Sequence, residues 1–308
     1  MKKKTVSKLV NLVLFCLCIL LFVYSDPAIA AAKSALNACA VSVIPSLFPY
    51  MVLSNLIVRH RLLAPLYRLI PMKALFGLPP ASAGAFLLGG LCGFPIGAKT
   101  VCDLYKTGQL TREEAERTCA ISNNTGPAFA VSVAGGIFWG SRTFGIYLYT
   151  AQLLAAVFVG VLFRRRGKQT AQKTDSSLSV YPTPNPVSSF IEAISAGAAA
   201  CIPLCGYITF FSILCAIVKE MLPWKAVAAA VCAVFEFTSG IREAAAINGY
   251  AGLFLTGFSL GFSGLSVFMQ SYNFTFSHGI SLHRTLICKT VQGILCGGLC
   301  LLYPIQLG

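Results

Sequence analysis

The run Gly89-Gly90-Leu91-Cys92-Gly93-Phe94-Pro95-Ile96-Gly97-Ala98-Lys99 lies inside an apolar segment, residues 79–105, and its reading decides the fold. A single membrane span there would separate two basic clusters: Arg59, Arg61, Arg68 and Lys73 before it, and Lys106, Arg112 and Arg117 after it. Basic loops of membrane proteins gather on the cytoplasmic side. The two clusters belong together only if the segment enters and leaves on one side, as a re-entrant helical hairpin. Gly93, Pro95 and Gly97 supply the tight turn and close packing that such a tip needs.

Composition points the same way. Hydrophobic residues make up 56% of the 308 positions and charged residues 11%, and the mean hydropathy is +0.75. A soluble domain carries roughly 25% charged residues. Apolar runs of about 20 residues recur, which is the length that crosses a bilayer core. Each must be helical, because the core offers the backbone no water. Without period-2 alternation a transmembrane barrel is not expected. The chain reads as an all-α, multi-pass protein of the cell membrane.

The net charge of +14 sits in short loops beside apolar runs, with no aromatic-interleaved basic patch. Nucleic acid is therefore not an expected partner. Thirteen cysteines are scattered through apolar stretches without a CxxC. They read as packing residues, so no disulfide framework and no metal site is expected. HExxH, GxSxG and the P-loop pattern are missing, so neither an enzyme nor a cofactor is expected.

The apolar segments fall at about 9–30, 34–58, 79–105, 118–139, 143–163, 190–218, 226–247, 252–272 and 282–303. Lys2, Lys3, Lys4 and Lys8 hold the N-terminus in the cytoplasm. Residues 1–33 read as an N-terminal transmembrane anchor, retained rather than cleaved as a signal peptide. Residues 59–75 read as an interfacial amphipathic stretch. Thr111-Arg112-Glu113-Glu114 reads as a capping box that opens a short cytoplasmic helix. Residues 167–188, polar and rich in Pro and Ser, read as a cytoplasmic linker.

The stretches 34–166 and 189–308 resemble each other. Ile44-Pro45 matches Ile202-Pro203. GFPIGAK (93–99) matches EFTSGIR (236–242), with Gly97 on Gly240. TCAISNNTGPAFAVS (118–132) matches TGFSLGFSGLSVFMQ (256–270), with Gly126 on Gly264. Each half holds one span, one hairpin, one polar-interrupted span and one span. That is an odd number of crossings, so the second half is inverted and the C-terminus is external. An inverted repeat with paired Gly/Pro-interrupted segments points to a secondary transporter whose substrate site lies near the midplane.

The candidate substrate-binding residues follow from the paired tips and breaks. The tips are Gly93, Phe94, Pro95 and Gly97, and Glu236, Thr238, Ser239 and Gly240. The breaks, at 122–127 and 263–270, contribute Asn123, Asn124, Thr125 and Gly126, and Ser263, Gly264, Ser266 and Gln270. Such groups are costly in hydrocarbon unless they face a cavity or one another. Packing between helices is their alternative role. Lys99 and Arg242 each lie two residues past a matched glycine. They are suited to the two carboxylates of a dianion, or else to snorkelling to the membrane surface. Glu236 is suited to a coupling cation, a proton or a neighbouring positive charge.

At GGLCGFPIGAKTVCDLYKTGQLTREEAER (89–117), followed by ISNNTGPAF (121–129), the chain resembles the nucleoside-recognition (Gate) domain proteins, in their sporulation integral membrane branch. FEFTSG (235–240) and GFSGLSVFMQ (261–270) extend the resemblance over roughly residues 34–303. It implies a spore-forming bacterium, paired hairpins in a moving transport domain, and distant kinship with concentrative nucleoside transporters. For this branch it also implies movement of dipicolinate toward the forespore. The acid-rich hairpin contacts of nucleoside transporters are missing, and a small planar dianion suits Lys99 and Arg242 better.

The expected function is thus a secondary transporter or facilitator of a small organic anion, a dipicolinate-like dicarboxylate. One alternative is a nucleoside or neutral-solute transporter of the same fold. Another is a non-transporting sporulation membrane assembly protein, which would leave the hairpin tips filled by bulky apolar side chains. The expected partners are the lipid bilayer, the solute, and further copies of the chain in a homo-oligomer. Cysteines placed at Ser177 and Gln306 in a cysteine-free background should label from opposite sides of the membrane, position 177 from the cytoplasm. Labelling of both from one side would eliminate the inverted repeat.

Overall fold

The computed structural model describes residues 2–60, 62, 67, 70–164 and 185–304, with side chains from residue 8. Most of the expected amphipathic stretch 59–75 and of the linker 167–188 lies outside the described residues. Every regular element among the described residues is a helix.

Helix α1 (Lys2–Val23) breaks at Tyr24. From Ser25 the chain runs as one helix to Arg59: α2 (Ser25–Ala38), a π-helical turn (Cys39–Val43) and α3 (Ile44–Arg59). The break between the first two apolar segments therefore falls at Tyr24 and not near 31–33. The Ala-rich sequence there has high helix propensity and nothing to interrupt it. The widened turn sits where Pro45 removes the backbone bond to residue 41.

Helices α4 (Met72–Phe76), α5 (Ser82–Cys92) and α6 (Ile96–Lys106) follow. The chain turns back through Gly93-Phe94-Pro95, and α5 packs on α6. Residues 79–105 are thus two short helices and not one span. Thr111 opens α7 (Arg112–Ser122) with a capping box that includes Glu114. The helix runs on into the next apolar segment instead of ending as a separate piece. A non-helical stretch, 123–126, separates it from a π-helical segment (Ala128–Phe138), and α8 (Arg142–Leu162) follows.

Helix α9 (Pro186–Met221) is 36 residues long, about 54 Å at 1.5 Å per residue. It lies antiparallel against α2–α3. Glu192 near its start pairs with Arg59 at the end of α3, and Gly197 meets Phe48 and Val52. Then come α10 (Lys225–Phe235), α11 (Phe237–Ile247), α12 (Gly249–Phe262), α13 (Gly264–Thr275) and α14 (His283–Cys300).

Four helical stretches are long and apolar enough to cross a membrane: Ser25–Arg59, Arg142–Leu162, Pro186–Met221 and Gly249–His278. Large apolar side chains such as Phe22 and Ile202 point outward. The protein is a multi-pass, all-helical membrane protein.

Contacts sort the helix ends into two groups. Val58, Leu104, Leu110, Ala115 and Leu282 share one cluster, and Glu116 accepts from the Ser281 N–H near them. The other end joins Trp139, Phe144, Tyr147 and Tyr303, with Gly252 of α12 beside the Trp139 ring. Between the ends, Leu148, Ala151, Ile241, Leu260 and Cys296 form the core. Small residues let α12 approach α14 closely: a Cβ on Gly261 would lie 2.9 Å from the Gly293 Cα. Such close backbone packing substitutes for a hydrophobic drive between helices in lipid.

Gly97 of α6 has no such room. A Cβ there would lie 2.0 Å from the Ser122 carbonyl oxygen. Gly97→Ala should destabilise the detergent-solubilised protein by about 1–3 kcal/mol or more. Gly206→Ala, where a Cβ meets nothing within 4 Å, should be neutral or stabilising by up to about 1 kcal/mol. Thermal unfolding of the two variants side by side checks this; equal effects would mean that the α6–α7 contact is not tight.

Candidate functional site

Two sets of helix breaks meet in the interior. The first follows from Ser122-Asn123-Asn124-Thr125-Gly126-Pro127. Pro127 has no N–H and disfavours helix at the residue before it. The orphaned backbone groups then take side-chain partners. Asn124 Nδ2 donates to the Ile121 carbonyl at 2.7 Å. Gln152 of α8 clamps Thr125: Oε1 accepts from its N–H at 3.2 Å and Nε2 donates to its carbonyl at 3.1 Å. The first tip leans on this break. Gly93 has φ +82, and a Cβ on it would lie 2.9 Å from the Gly126 nitrogen.

The second set has the same plan. Glu236, 2% exposed, is the N-cap of α11. Its carboxylate accepts from the Thr238 N–H at 3.1 Å and the Ser239 N–H at 2.7 Å. A negative charge at a helix N-terminus is favourable. Ser263, with φ 75, separates α12 from α13. A Cβ on the following Gly264 would lie 3.0 Å from the Phe237 nitrogen. The two tips touch: the rings of Phe94 and Phe237 meet edge to face at 4.8 Å, and Phe129 lies 4.8 Å from Phe237.

Several polar atoms at these breaks are buried without a hydrogen-bond partner: Ser122 Oγ, Asn123 Oδ1, Thr125 Oγ1 and Ser263 Oγ. Each costs roughly 1–3 kcal/mol, so the cluster calls for a functional reason. Asn123 Nδ2 donates to Ser271 Oγ at 2.8 Å and ties the first break to α13.

The tip and break residues expected from the sequence are therefore brought together, with two corrections. The second break is confined to Ser263. Ser266 and Gln270 continue on α13, where Gln270 Nε2 donates to Ser266 Oγ at 3.2 Å. Gly264 is the first residue of α13, and Gly240, buried on α11, packs on Ala233. The matched cations also part company. Lys99 is buried, and its ammonium pairs with Asp103 one turn on, at 2.9 Å. Arg242 is 56% exposed and lies 3.5 Å from Glu243, which also takes Lys219 at 2.8 Å. Helical i,i+4 spacing gave Lys99 its own counter-charge, and Arg242 falls on the outward face of α11.

The structure adds residues that the sequence pattern did not single out. Lys289, in the middle of α14, is 3% exposed. Its Nζ donates to Asn124 Oδ1 at 3.2 Å and Gln292 Oε1 at 2.9 Å. Gln292 Nε2 donates to Asn124 Oδ1 at 2.9 Å and to the Gln152 carbonyl at 3.2 Å. A lysine and a glutamine three residues apart in an apolar span were the available signal. Among the described residues, no group of three His, Cys, Asp or Glu side chains is placed to hold a metal ion.

The chain is similar to the sporulation integral membrane protein YlbJ of Bacillus subtilis (strain 168), with 29% identity over 144 residues. The match covers 46% of this chain and 35% of that protein, so it spans about a third of the relative's length. No protein-family model matches the chain, and no solved structure does.

Gln152→Leu removes both partners of Thr125. It should cost about 1–3 kcal/mol for each stranded group and lower the unfolding temperature. Thr256→Val, which removes only the acceptor of Trp139 Nε1 at 3.0 Å, should cost about 1 kcal/mol. The order of the two in a thermal melt is the check, and its reversal would deny the clamp its role.

Proposed function

We propose that this chain is a sporulation membrane protein that acts as a secondary transporter or facilitator of a small organic anion. We take it to be an inverted repeat with two re-entrant hairpins. The observation that carries the reading is the convergence of paired tips and breaks on unsatisfied buried polar atoms in an apolar bundle. Intramembrane polar groups of this kind line solute pathways.

The contact pattern supports the inverted repeat. Phe94 and Phe237 are matched positions in the two halves, and their rings touch. Ile44 and the residues flanking Ile202 share one cluster of the antiparallel pair α3–α9. Equivalent residues touch each other only beside a two-fold axis, which agrees with the pseudo-two-fold of inverted-repeat transporters. The more basic end of the bundle carries Arg59, Arg112, Arg117 and Arg284, and the other the aromatic group around Trp139 with Arg142 and the Lys219–Glu243–Arg242 group. The positive-inside rule then puts the basic end, with the N-terminus and the 167–188 linker, in the cytoplasm.

The similarity to a sporulation integral membrane protein and the resemblance at residues 89–129 support the sporulation role. The charge balance favours an anion over a nucleoside or other neutral solute, since buried Lys289 is bonded only to amide oxygens. With Lys99 neutralised and Arg242 outward, the dicarboxylate reading rests on Lys289 and the break hydroxyls.

One observation favours the non-transporting assembly reading: Phe94, Phe129 and Phe237 fill the space between the tips. In a transporter the same rings are the seal of an occluded state. Proteoliposome uptake separates the two. The wild type should move dipicolinate in preference to uridine, and Phe94→Ala with Phe237→Ala should change the flux severalfold by opening the seal. If neither protein moves dipicolinate, uridine or citrate, the assembly reading takes its place.

A further inference from the structure

Lys289 in its protonated form has one hydrogen-bond valence open. An ammonium has three N–H donors. Two are taken by Asn124 Oδ1 and Gln292 Oε1. Asn124 Oδ1 is saturated by Lys289 and Gln292, and both hydrogens of the Gln292 amide are used. Among the described residues no carboxylate pairs with Lys289, whereas Lys99 has Asp103. A buried charge without a counter-charge is costly, so the protonated form of Lys289 calls for an anion beside it.

The face of α14 that carries Lys289 is supplied with further donors. Thr285, one turn earlier, is 1% exposed, and its Oγ1 has no hydrogen-bond partner. Arg284 Nη1 is likewise buried and unpartnered. A small void of about 20 Å³, lined by Ile121, Arg284 and Cys288 among others but not by Lys289 or Thr285, lies on the neighbouring face of α14 toward the basic end. Thr125 Oγ1 and Ser122 Oγ, also unpartnered, belong to the break that Asn124 ties to Lys289.

We propose that Lys289 is the charged anchor of an anion-binding site inside the bundle. Its free ammonium hydrogen takes a carboxylate oxygen of a small organic acid. Thr285 and the hydroxyls of the 122–125 break complete the shell, and Arg284 marks the approach from the basic end. The assignment rests on the anion-transport reading above, and it moves the charged contact from Lys99 and Arg242 to a residue of α14.

The test uses the purified full chain, with dipicolinate as the probe and uridine as the neutral control. Lys289→Met removes the charge, and its affinity for dipicolinate should fall about ten- to a hundredfold, the worth of a charged hydrogen bond. Asn124→Asp is nearly isosteric and hands Lys289 a carboxylate within the protein. It should lose dipicolinate to a similar extent, and its ion pair with Lys289 offsets the lost Nδ2 bond to the Ile121 carbonyl, so it reads the anchor even if Lys289→Met fails to fold. If both variants keep wild-type affinity within about twofold, the anchor is overturned and the anion reading stands. If the wild type itself fails to bind dipicolinate, the anion reading fails and the anchor with it.

Discussion

A helix that breaks in an apolar interior strands backbone N–H and C=O groups, and in lipid no water is present to take them. The rest of this structure is arranged around that constraint. Four breaks lie in the interior, and several of the groups they free are met by named side chains. Tyr149 donates to the Gly90 carbonyl at the end of α5. Asn124 meets the Ile121 carbonyl, and Gln152 meets both groups of Thr125. Glu236 meets two N–H groups of α11. All four of these partners come from the breaks or from helix α8 beside them, so breaks, tips and neighbouring spans are bound into one unit.

The same constraint concentrates polarity. Outside this layer the helices carry apolar faces, and the two long ones, Ser25–Arg59 and Pro186–Met221, have few fully buried residues. Inside it, three kinds of buried charge are handled differently. Lys99 has a neighbouring acid. Glu236 has helix N–H groups, whose dipole favours a negative charge. Lys289 has only neutral amide oxygens. Pairing or dipole compensation accounts for the first two as parts of the scaffold. Nothing of the kind accompanies the third, whose partners are the amides of Asn124 and Gln292 alone.

The tips illustrate how a local rule and a long-range contact combine. Gly93 adopts a left-handed conformation that other residues resist, which makes the turn local. The turn sits against Gly126, more than thirty positions later, because neither residue carries a Cβ. The apolar rings beside the turns then find each other across the bundle. Aromatic pairs of this geometry contribute about 0.5–1.5 kcal/mol beyond their burial, enough to hold a closed arrangement and little enough to be opened.

Much of this was legible in the residues alone. Length and hydropathy required membrane helices, because no other spanning structure satisfies a backbone without period-2 alternation. Gly93 and Pro95 and the run Asn123–Pro127 each announced a break through local chemistry, Thr111 with Glu114 announced a helix start, and the second tip was read from the match of 236–242 to 93–99. These are short-range effects, set by φ preference, a missing N–H or a side chain within one turn. Tertiary packing decided the rest. It gave Lys99 a partner on its own helix, turned Arg242 outward, confined the second break to Ser263, and carried the first helical break back to Tyr24. Above all it placed Lys289 and Gln292 of α14 on Asn124, over 160 positions away. Periodicity and composition report which face of a helix is buried. Which distant polar group fills the remaining valence depends on how the helices pack, and only the folded chain sets that.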